Sequence, residues 1–251
     1  MTTSVDIVLP VLNEERDLPH SVATLHQFLT DHCLDRWRIV IADNGSTDNT
    51  LEVAQQLSQQ YPNVAFIHLE QRGRGRALKR AWLESPADIV SYMDVDLSTD
   101  LQAFPQLIAA IRDEGYDLAV GSRLAKGAQV VKRTLKREVL SRGYNLIIRA
   151  VFFTRFSDAQ CGFKAISRRA AQRLLPLVKD NGWFLDTELL ILAEKRGFRI
   201  KDVPAHWTDD PDTRVRVWRT VMGDLRGLLR LRVGGIPRLP QEPPRTGGPS
   251  F

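Results

Sequence analysis

Apolar segments of two kinds alternate along the first half of the chain. Short runs such as Val5–Pro10 are apolar almost throughout, as in a buried strand, whereas Thr50–Gln60 spaces its apolar residues at helical intervals. Such alternation predicts a parallel, doubly wound α/β sheet. The predicted strands are Val5–Pro10, Trp37–Ala42, Val64–Leu69, Ile89–Met93 and Leu118–Gly121, and the predicted helices are Leu18–Leu34, Thr50–Gln60, Arg76–Leu83 and Leu101–Arg112.

The regular alternation stops after Arg123. The stretch that follows, residues 131–155, has apolar residues between its basic ones and predicts one or two amphipathic helices, with Gly143 as the candidate break. The later predicted elements are strands over Cys161–Ile166 and Arg199–Val203 and a helix over Asp186–Lys195.

Basic charge is concentrated in two segments of what we expect to be a single domain over residues 1–236. The net charge is +5, yet residues 131–155 carry seven Lys and Arg against one acid, and residues 214–232 carry six Arg against one acid, so the remainder is acidic. We expect amphipathic interface helices within about 128–155 and 214–232 that adhere to an anionic surface. Residues 237–251, rich in Pro and Gly, predict a disordered tail.

The sequence predicts a cytoplasmic protein, peripheral on the cytoplasmic face of a membrane. The start of the chain lacks the pattern of a secretory leader, and the apolar stretches around Arg149 fall well short of the ~20 residues that span a bilayer. Cys33 and Cys161 match no metal spacing, so we expect two reduced core thiols. The five histidines also form no metal spacing.

Polar residues follow each of the predicted strands. In a doubly wound sheet, ligands bind outside the carboxyl ends of the strands, so these residues are the candidate site. They are Asn13–Glu15, Asp43, Arg72–Arg76, Asp94–Asp96 and Ser122–Arg123.

Asp94 and Asp96 are the candidate metal ligands. They are two residues apart at a strand end, so in extended geometry both carboxylates would point the same way and could bind one hard cation. Mg²⁺ or Mn²⁺ fills its remaining positions with phosphate oxygens and water. A metal there would neutralise a departing nucleoside diphosphate.

Asp43 and Arg74 are candidate contacts to a nucleotide. A carboxylate at the strand end accepts hydrogen bonds from a base or ribose, and Gly73 and Gly75 would let backbone approach a phosphate that Arg74 reaches. A solvated basic turn is the alternative for Arg74. Leu78 occupies the last glycine position of a dinucleotide fingerprint, which argues against a nicotinamide cofactor.

Several motifs in order resemble glycosyltransferase family 2, in its polyprenyl-phosphate branch typified by dolichyl-phosphate mannose synthase. The resemblance covers roughly residues 5–232 and implies a GT-A fold with a largely parallel, Rossmann-like sheet. The motifs are Leu9-Pro10-Val11-Leu12-Asn13-Glu14-Glu15, Ala42-Asp43-Asn44-Gly45-Ser46-Thr47-Asp48, Arg72-Gly73-Arg74-Gly75, Met93-Asp94-Val95-Asp96-Leu97-Ser98, Gly121-Ser122-Arg123 and Asp158-Ala159-Gln160-Cys161-Gly162-Phe163-Lys164.

The resemblance also implies functional residues on the donor side. It gives nucleotide contacts to Pro10, Glu14 and Asp43, and a metal to Asp94 and Asp96. Ser98 stands where relatives often carry a Gln that assists the metal.

On the acceptor side, Arg123, Arg137 and Ser141 match positions that face the donor diphosphate or the lipid phosphate. Arg137 and Ser141 also share a helix face by their spacing. A phosphate acceptor is largely dianionic at neutral pH and needs no general base. Asp158 is the candidate base for a hydroxyl acceptor and otherwise orients basic side chains or packs a turn. Inverting, single-step transfer follows from the resemblance.

Other functions are compatible with the sequence. A family 2 enzyme could instead glycosylate diacylglycerol, a protein or a polysaccharide. A non-enzymatic module that binds an anionic surface is a further alternative, but nucleic acid would be repelled by the acidic strand ends. Attachment to the membrane could use the basic segments, a membrane-protein partner or a homo-oligomer.

Overall fold

The computed structural model describes residues 2–32, 36–131, 134–208 and 217–239. Its strands are β1 Ser4–Val11, β2 Arg36–Asp43, β3 Val64–His68, β4 Ile89–Met93, β5 Leu118–Ser122, β6 Gln129–Val131, β7 Phe163–Ser167, β8 Ile200–Pro204 and β9 His206–Thr208. The helices are α1 Leu18–Asp31, α2 Thr50–Gln60, α3 Arg74–Glu84, α4 Phe104–Arg112, α5 Leu135–Phe152, α6 Arg168–Leu174, α7 Leu185–Lys195 and α8 Val217–Gly234, with 3-10 turns at Leu101–Ala103 and Leu175–Leu177.

Seven strands form the central sheet in the order β3-β2-β1-β4-β7-β5-β8. Every neighbouring pair is parallel except those of β7, which runs antiparallel to both β4 and β5. The amino end of β7 therefore lies at the same edge as the carboxyl ends of the other strands. The predicted largely parallel α/β fold is confirmed. Short β6 and β9 form a separate parallel pair.

Helices cover both faces of the sheet, because alternate strand residues are apolar on both sides. Ile7 and Leu9 of β1 pack with α1, α2 and α4, whereas Val8 packs on the opposite side with α3, α5, α6, α7 and α8. Helix α7 is buried from Leu185 to Ala193. Such a helix has no solvated face, so the polar residues within it must find partners inside the protein.

Helix α5 is continuous through Gly143, so no break occurs at that residue. Tyr144, Ile148 and Phe152 are buried along one side of the helix and anchor both of its halves to the core. A Gly costs a helix only about 1 kcal/mol relative to Ala, which this packing outweighs. Helix α6 and strands β6 and β9 were not predicted.

The described chain continues into the predicted tail. Ile236 and Leu239 pack against the core, and Arg196 Nε donates to the carbonyl oxygen of Pro237 at 2.6 Å. Residues 240–251 of the predicted tail lie outside the described residues, as do Cys33 and the basic residues before α8.

Cys161 is free and buried, and burial raises the pKa of its thiol to about 12.

Helix α8 docks on the molecule through the buried Leu228 and Leu231 and through small and polar contacts. Gly227 lies against the Phe184 ring, where an added Cβ would come within 2.3 Å of the ring. Arg230 donates to Glu188 at 2.8 Å, and Gln160 donates to the buried Asp224 at 3.1 Å. Burial raises the pKa of Asp224 to about 6, although Tyr144 and Gln160 hydrogen-bond to its carboxyl group.

Asp224→Asn should stabilise the protein at neutral pH. Because the folded-state pKa of about 6 lies above the unfolded value of about 3.9, the stability contributed by Asp224 is present at low pH and is lost as the pH rises through 6. Asn keeps the acceptor for Gln160 and cannot ionise. Urea unfolding at about pH 4 and about pH 7.5 should show the stability of the variant relative to the wild type rising by about 2 kcal/mol between the two pH values. A difference independent of pH would contradict the assignment.

Candidate functional site

The loops after β1 and β2 are joined into one wall at the carboxyl edge of the sheet. The Asn13 amide donates to Ser46 Oγ at 2.9 Å, and the Thr47 amide donates to Asn13 Oδ1 at 2.7 Å. The Glu14 amide donates to Thr50 Oγ1 at 2.8 Å. Asn13 has a φ of 58°, a left-handed conformation that Asn tolerates better than most residues. The predicted residues Asn13 and Glu14 are thus placed beside the second loop.

Pro10 is buried at the end of β1 and pairs in register with Ala42. Pro lacks an amide hydrogen and weakens a central strand. Here the pairing of β1 with β4 ends at Val8, so Pro10 interrupts no ladder on that side. It lies directly before the Asn13 loop.

Asp43 is fully buried at the end of β2, and both of its carboxylate oxygens have partners. Ser46 donates to Oδ1 through its amide, at 3.2 Å, and through its hydroxyl. His68 Nδ1 lies 2.6 Å from Oδ2. The contact reveals His68 as a site residue that the sequence analysis missed. Its position at the carboxyl end of β3 was the signal for it.

Asp94 and Asp96 lie in a turn, so the extended geometry expected for them is wrong. Strand β4 ends at Met93, and the amide of Leu97 donates back to the carbonyl of Asp94 at 3.1 Å. Leu97 itself has a φ of 48°. The amide of Ser98 donates to Asp96 Oδ1 at 3.0 Å, which places Ser98 next to the second acid.

The donor set at this turn fits a divalent metal shared with a substrate. The Asp94 side chain is 30% exposed, and within the described chain its carboxylate accepts one hydrogen bond, from Arg74 to Oδ1, so Oδ2 keeps its acceptor capacity. Asp96 is exposed. No group of three or more His, Cys, Asp or Glu among residues 2–32, 36–131, 134–208 and 217–239 could hold a metal. A metal at Asp94 and Asp96 would therefore depend on substrate and water ligands.

The glycines beside Arg74 serve protein packing, which corrects the expectation that they admit a phosphate. An added Cβ at Gly73 would lie 2.6 Å from the carbonyl oxygen of Asn181, and one at Gly75 would lie 2.8 Å from that of Gly182. The α3 amino terminus therefore packs directly on the loop before α7. Gly73 also has a φ of 150°, which lies in the left-handed half of conformational space and favours glycine.

Arg74 points to two carboxylates. Its guanidinium donates to Asp94 Oδ1 and to Asp186 Oδ2, at 2.8 Å each, and it lies 4.8 Å from the ring centroids of Tyr92 and Trp183. Asp186 was missed by the sequence analysis. Charged residues inside the apolar α7 segment were the available signal, because such residues are buried only when paired. The Trp183 side chain is 48% exposed.

Asp158 is buried and forms an ion pair with Arg123. Arg123 donates to the carboxylate through Nε at 2.7 Å, through a terminal nitrogen at 3.0 Å and through its amide at 3.2 Å. Burial alone would raise the pKa of Asp158, but Arg123 lowers it below its usual range. Arg123 also lies 5.0 Å from the Trp207 ring centroid. This arrangement favours the orienting role predicted for Asp158 over that of a base.

Helix α5 joins Arg137 and Ser141 to the Asp158 loop. Asn145, one turn after Ser141, accepts a hydrogen bond from the Ala159 amide at 2.9 Å. Ser141 is buried, and no residue in the described part of the chain hydrogen-bonds to its Oγ. Arg137 is half-buried, one turn before Ser141. Arg137 and Ser141 therefore lie on the helix that contacts the Asp158 loop, and Asp158 in turn binds Arg123.

Solved structures of similar fold come from Mycobacterium tuberculosis glucosyl-3-phosphoglycerate synthase. One has 24% sequence identity and a TM-score of 0.69, and the match covers 94% of this chain and 82% of that one. Another, at 21% identity and a TM-score of 0.68 over 94% of this chain and 81% of that one, is a complex with Mn²⁺, UDP-glucose and phosphoglyceric acid. At these identities the likeness establishes the fold.

Curated relatives match most of the chain. Glycosyltransferase AglD of Haloferax volcanii is 38% identical over 231 residues, which are 90% of this chain and 36% of AglD. Dolichyl-phosphate beta-glucosyltransferase of Saccharomyces cerevisiae is 29% identical over 221 residues, covering 81% of this chain and 66% of the yeast protein. The chain thus spans only part of these relatives. The model of the glycosyl transferase family 2 matches residues 6–175, so the chain belongs to glycosyltransferase family 2.

Proposed function

We propose that this chain transfers a hexose from a nucleotide sugar to a polyprenyl phosphate. The observation that carries the proposal is that both carboxylate oxygens of Asp158 accept hydrogen bonds from Arg123. A hydroxyl acceptor needs a base, whereas a phosphate acceptor is already anionic and needs a cation that is held in place. Relatives named dolichyl-phosphate beta-glucosyltransferase support the same acceptor class.

The donor is proposed to be a UDP-sugar, with glucose as the hexose. The joined loops around Asn13 and Asp43 form a wall that suits a nucleoside, and the buried Asp43 braces this wall through Ser46 and His68. UDP-glucose is bound by a structural neighbour, and relatives carry glucosyltransferase names. GDP-mannose is the competing donor that the experiment below distinguishes.

A divalent metal, Mg²⁺ or Mn²⁺, is proposed at Asp94 and Asp96, with Ser98 beside them. When bound, it supplies positive charge to the departing nucleoside diphosphate. The structural neighbour with Mn²⁺ and UDP-glucose supports such a metal.

The chain's own residues position the acceptor. Arg123, fixed by Asp158, and Arg137 on α5 supply guanidinium groups that suit phosphate recognition. Ser141 offers a hydroxyl with no partner among the described residues. An acceptor phosphate held there would displace the diphosphate from the opposite side of the anomeric carbon in one step, which inverts the configuration.

Helices α5 and α8 are proposed to lie on a membrane surface. They pack on each other, and each bears exposed apolar side chains near exposed arginines such as Arg142 and Arg226. These side chains are Leu135, Val139 and Leu146 of α5, Phe153 directly after α5, and Leu225, Leu229 and Val233 of α8. Amphipathic helices with basic residues bind anionic lipid in this way. No helix in the described ranges is long and apolar enough to cross a membrane.

The cytoplasmic face of the membrane stays the prediction from the sequence. A membrane-protein partner or a homo-oligomer stays the alternative route of attachment. The need for a membrane-protein partner is tested by the vesicle measurement below, because purified protein that requires such a partner would not bind lipid by itself.

The donor site is tested by calorimetric titration with UDP and GDP, each with Mn²⁺ and with EDTA. We expect Mn²⁺-dependent binding of UDP that Asp96→Asn weakens about 10-fold or more, a loss of about 1.4 kcal/mol or more. Asp113→Asn is the matched control, because Asp113 is also exposed and lies near the opposite edge of the sheet. Binding of neither nucleotide to folded protein would count against the transferase proposal, and GDP binding alone would exclude the UDP donor.

The membrane surface is tested by co-sedimentation with vesicles that contain anionic lipid. Leu146→Glu with Leu229→Glu should abolish most of the binding, because both side chains are exposed and the substitutions add charge where apolar contact is proposed. Gln56→Glu with Gln59→Glu adds the same charge on exposed positions of α2 and should have little effect. Equal loss in both pairs would indicate long-range charge alone. Absence of wild-type binding would favour a protein partner.

A further inference from the structure

A buried group of charged side chains lies next to Asp94. Arg74, Lys164 and Asp186 have side chains only 10%, 2% and 7% exposed. With Asp94, the group has two cations and two anions. Balanced charge allows such a group to remain ionised inside the protein, where an unpaired charge would be very costly.

Asp186 is the centre of this group. Its Oδ1 accepts from the Tyr92 hydroxyl at 2.5 Å and lies 3.0 Å from Lys164 Nζ, while its Oδ2 accepts from Arg74 at 2.8 Å. Burial alone would raise the pKa of Asp186, but Lys164 and Arg74 lower it. The carboxylate therefore stays charged and immobile on the buried helix α7.

The Arg74 guanidinium is held by two carboxylates and two aromatic rings. One terminal nitrogen bonds Asp186, the other bonds Asp94, and the guanidinium lies 4.8 Å from each of the Tyr92 and Trp183 ring centroids. Burial would lower the pKa of Arg74, but Tyr92, Asp94 and Asp186 raise it well above its usual value. A guanidinium fixed in this way has no freedom to turn toward a diphosphate without breaking two charged hydrogen bonds.

Asp94 is restrained by Arg74 and by Gly162. Arg74 occupies Oδ1, and the amide of Asp94 donates to the Gly162 carbonyl at 3.1 Å. A Cβ at Gly162 would lie 1.7 Å from Asp94 Oδ2, so the carboxylate rests directly on this glycine. These contacts fix the carboxylate plane and leave Oδ2 as the oxygen with acceptor capacity.

We propose that Asp186 and Arg74 are positioning residues for the metal: Asp186 holds Arg74, and Arg74 holds the Asp94 carboxylate in the orientation in which it would bind the ion. The inference rests on the proposed metal-dependent function. It replaces the expectation that Arg74 binds the donor diphosphate. Residues that orient metal ligands from behind typically contribute about 10–100-fold to metal affinity.

The test measures Mn²⁺ affinity by the electron paramagnetic resonance signal of free Mn²⁺, without nucleotide and with UDP. Asp186→Asn and Arg74→Lys should each weaken Mn²⁺ binding about 10–100-fold under both conditions. Lys keeps the positive charge but cannot bridge two carboxylates. The double variant should bind Mn²⁺ as tightly as whichever single variant binds it less tightly, because Asp186 and Arg74 act through one bridge.

Glu188→Gln is the matched control. Glu188 is also buried on α7, two residues from Asp186, but bonds Arg230 and the Asp180 amide instead of Arg74. Its Mn²⁺ affinity should equal that of the wild type. Thermal unfolding checks that every variant is folded. Should Asp186→Asn fail to fold, Tyr92→Phe removes one hydrogen bond to Asp186 and should weaken Mn²⁺ binding less, in the same direction.

Each outcome separates the inference from the function on which it rests. Wild-type affinity in Arg74→Lys would overturn the bridge, and weakening only in the presence of UDP would assign Arg74 to the diphosphate. If the wild type binds Mn²⁺ and both Asp186→Asn and Arg74→Lys bind it with the same affinity, the positioning role is overturned and the proposed function remains intact. A wild type that binds no Mn²⁺, with or without UDP, would overturn both.

Discussion

Lys164 lies on β7 in the middle of the sheet, where a buried ammonium requires an anion. Asp186 supplies it at 3.0 Å, and this pairing fixes where α7 packs. Once Asp186 is in place, Arg74 bridges it to Asp94, and the loop before α7 packs on the glycines of α3. The geometry of the carboxyl edge therefore depends on one buried ion pair. Such a pair contributes little net stability but is costly to break.

The contacts of Asp158 fit the chemistry of the proposed phosphate acceptor. A dianionic phosphate needs fixed cations more than a base, and Asp158 is buried against Arg123 with both oxygens committed. The same loop reaches Asp224 of α8 through Gln160 and Asn145 of α5 through Ala159. The two helices with exposed apolar faces are thus bonded directly to the loop that orients Arg123. A lipid acceptor would arrive at that side of the molecule.

The sequence predicted the alternating part of the fold and most polar positions at the strand ends, because periodicity and local order are properties of neighbouring residues. It did not predict that β7 enters antiparallel between β4 and β5, since strand order depends on distant pairing. For the same reason Asp186 and His68 were missed: their partners are far away in sequence. The glycines around Arg74 predict a phosphate contact from the sequence alone, whereas the structure shows that they pack on the loop before α7.

The proposed acceptor is a lipid phosphate. The most direct measurement incubates the protein with UDP-glucose, Mn²⁺ and anionic vesicles that contain either a polyprenyl phosphate or the matching polyprenol, and follows the lipid product by NMR. We expect glucosylation of the phosphate with inverted anomeric configuration and no product from the alcohol. Transfer to the alcohol, or retention of configuration, would contradict it.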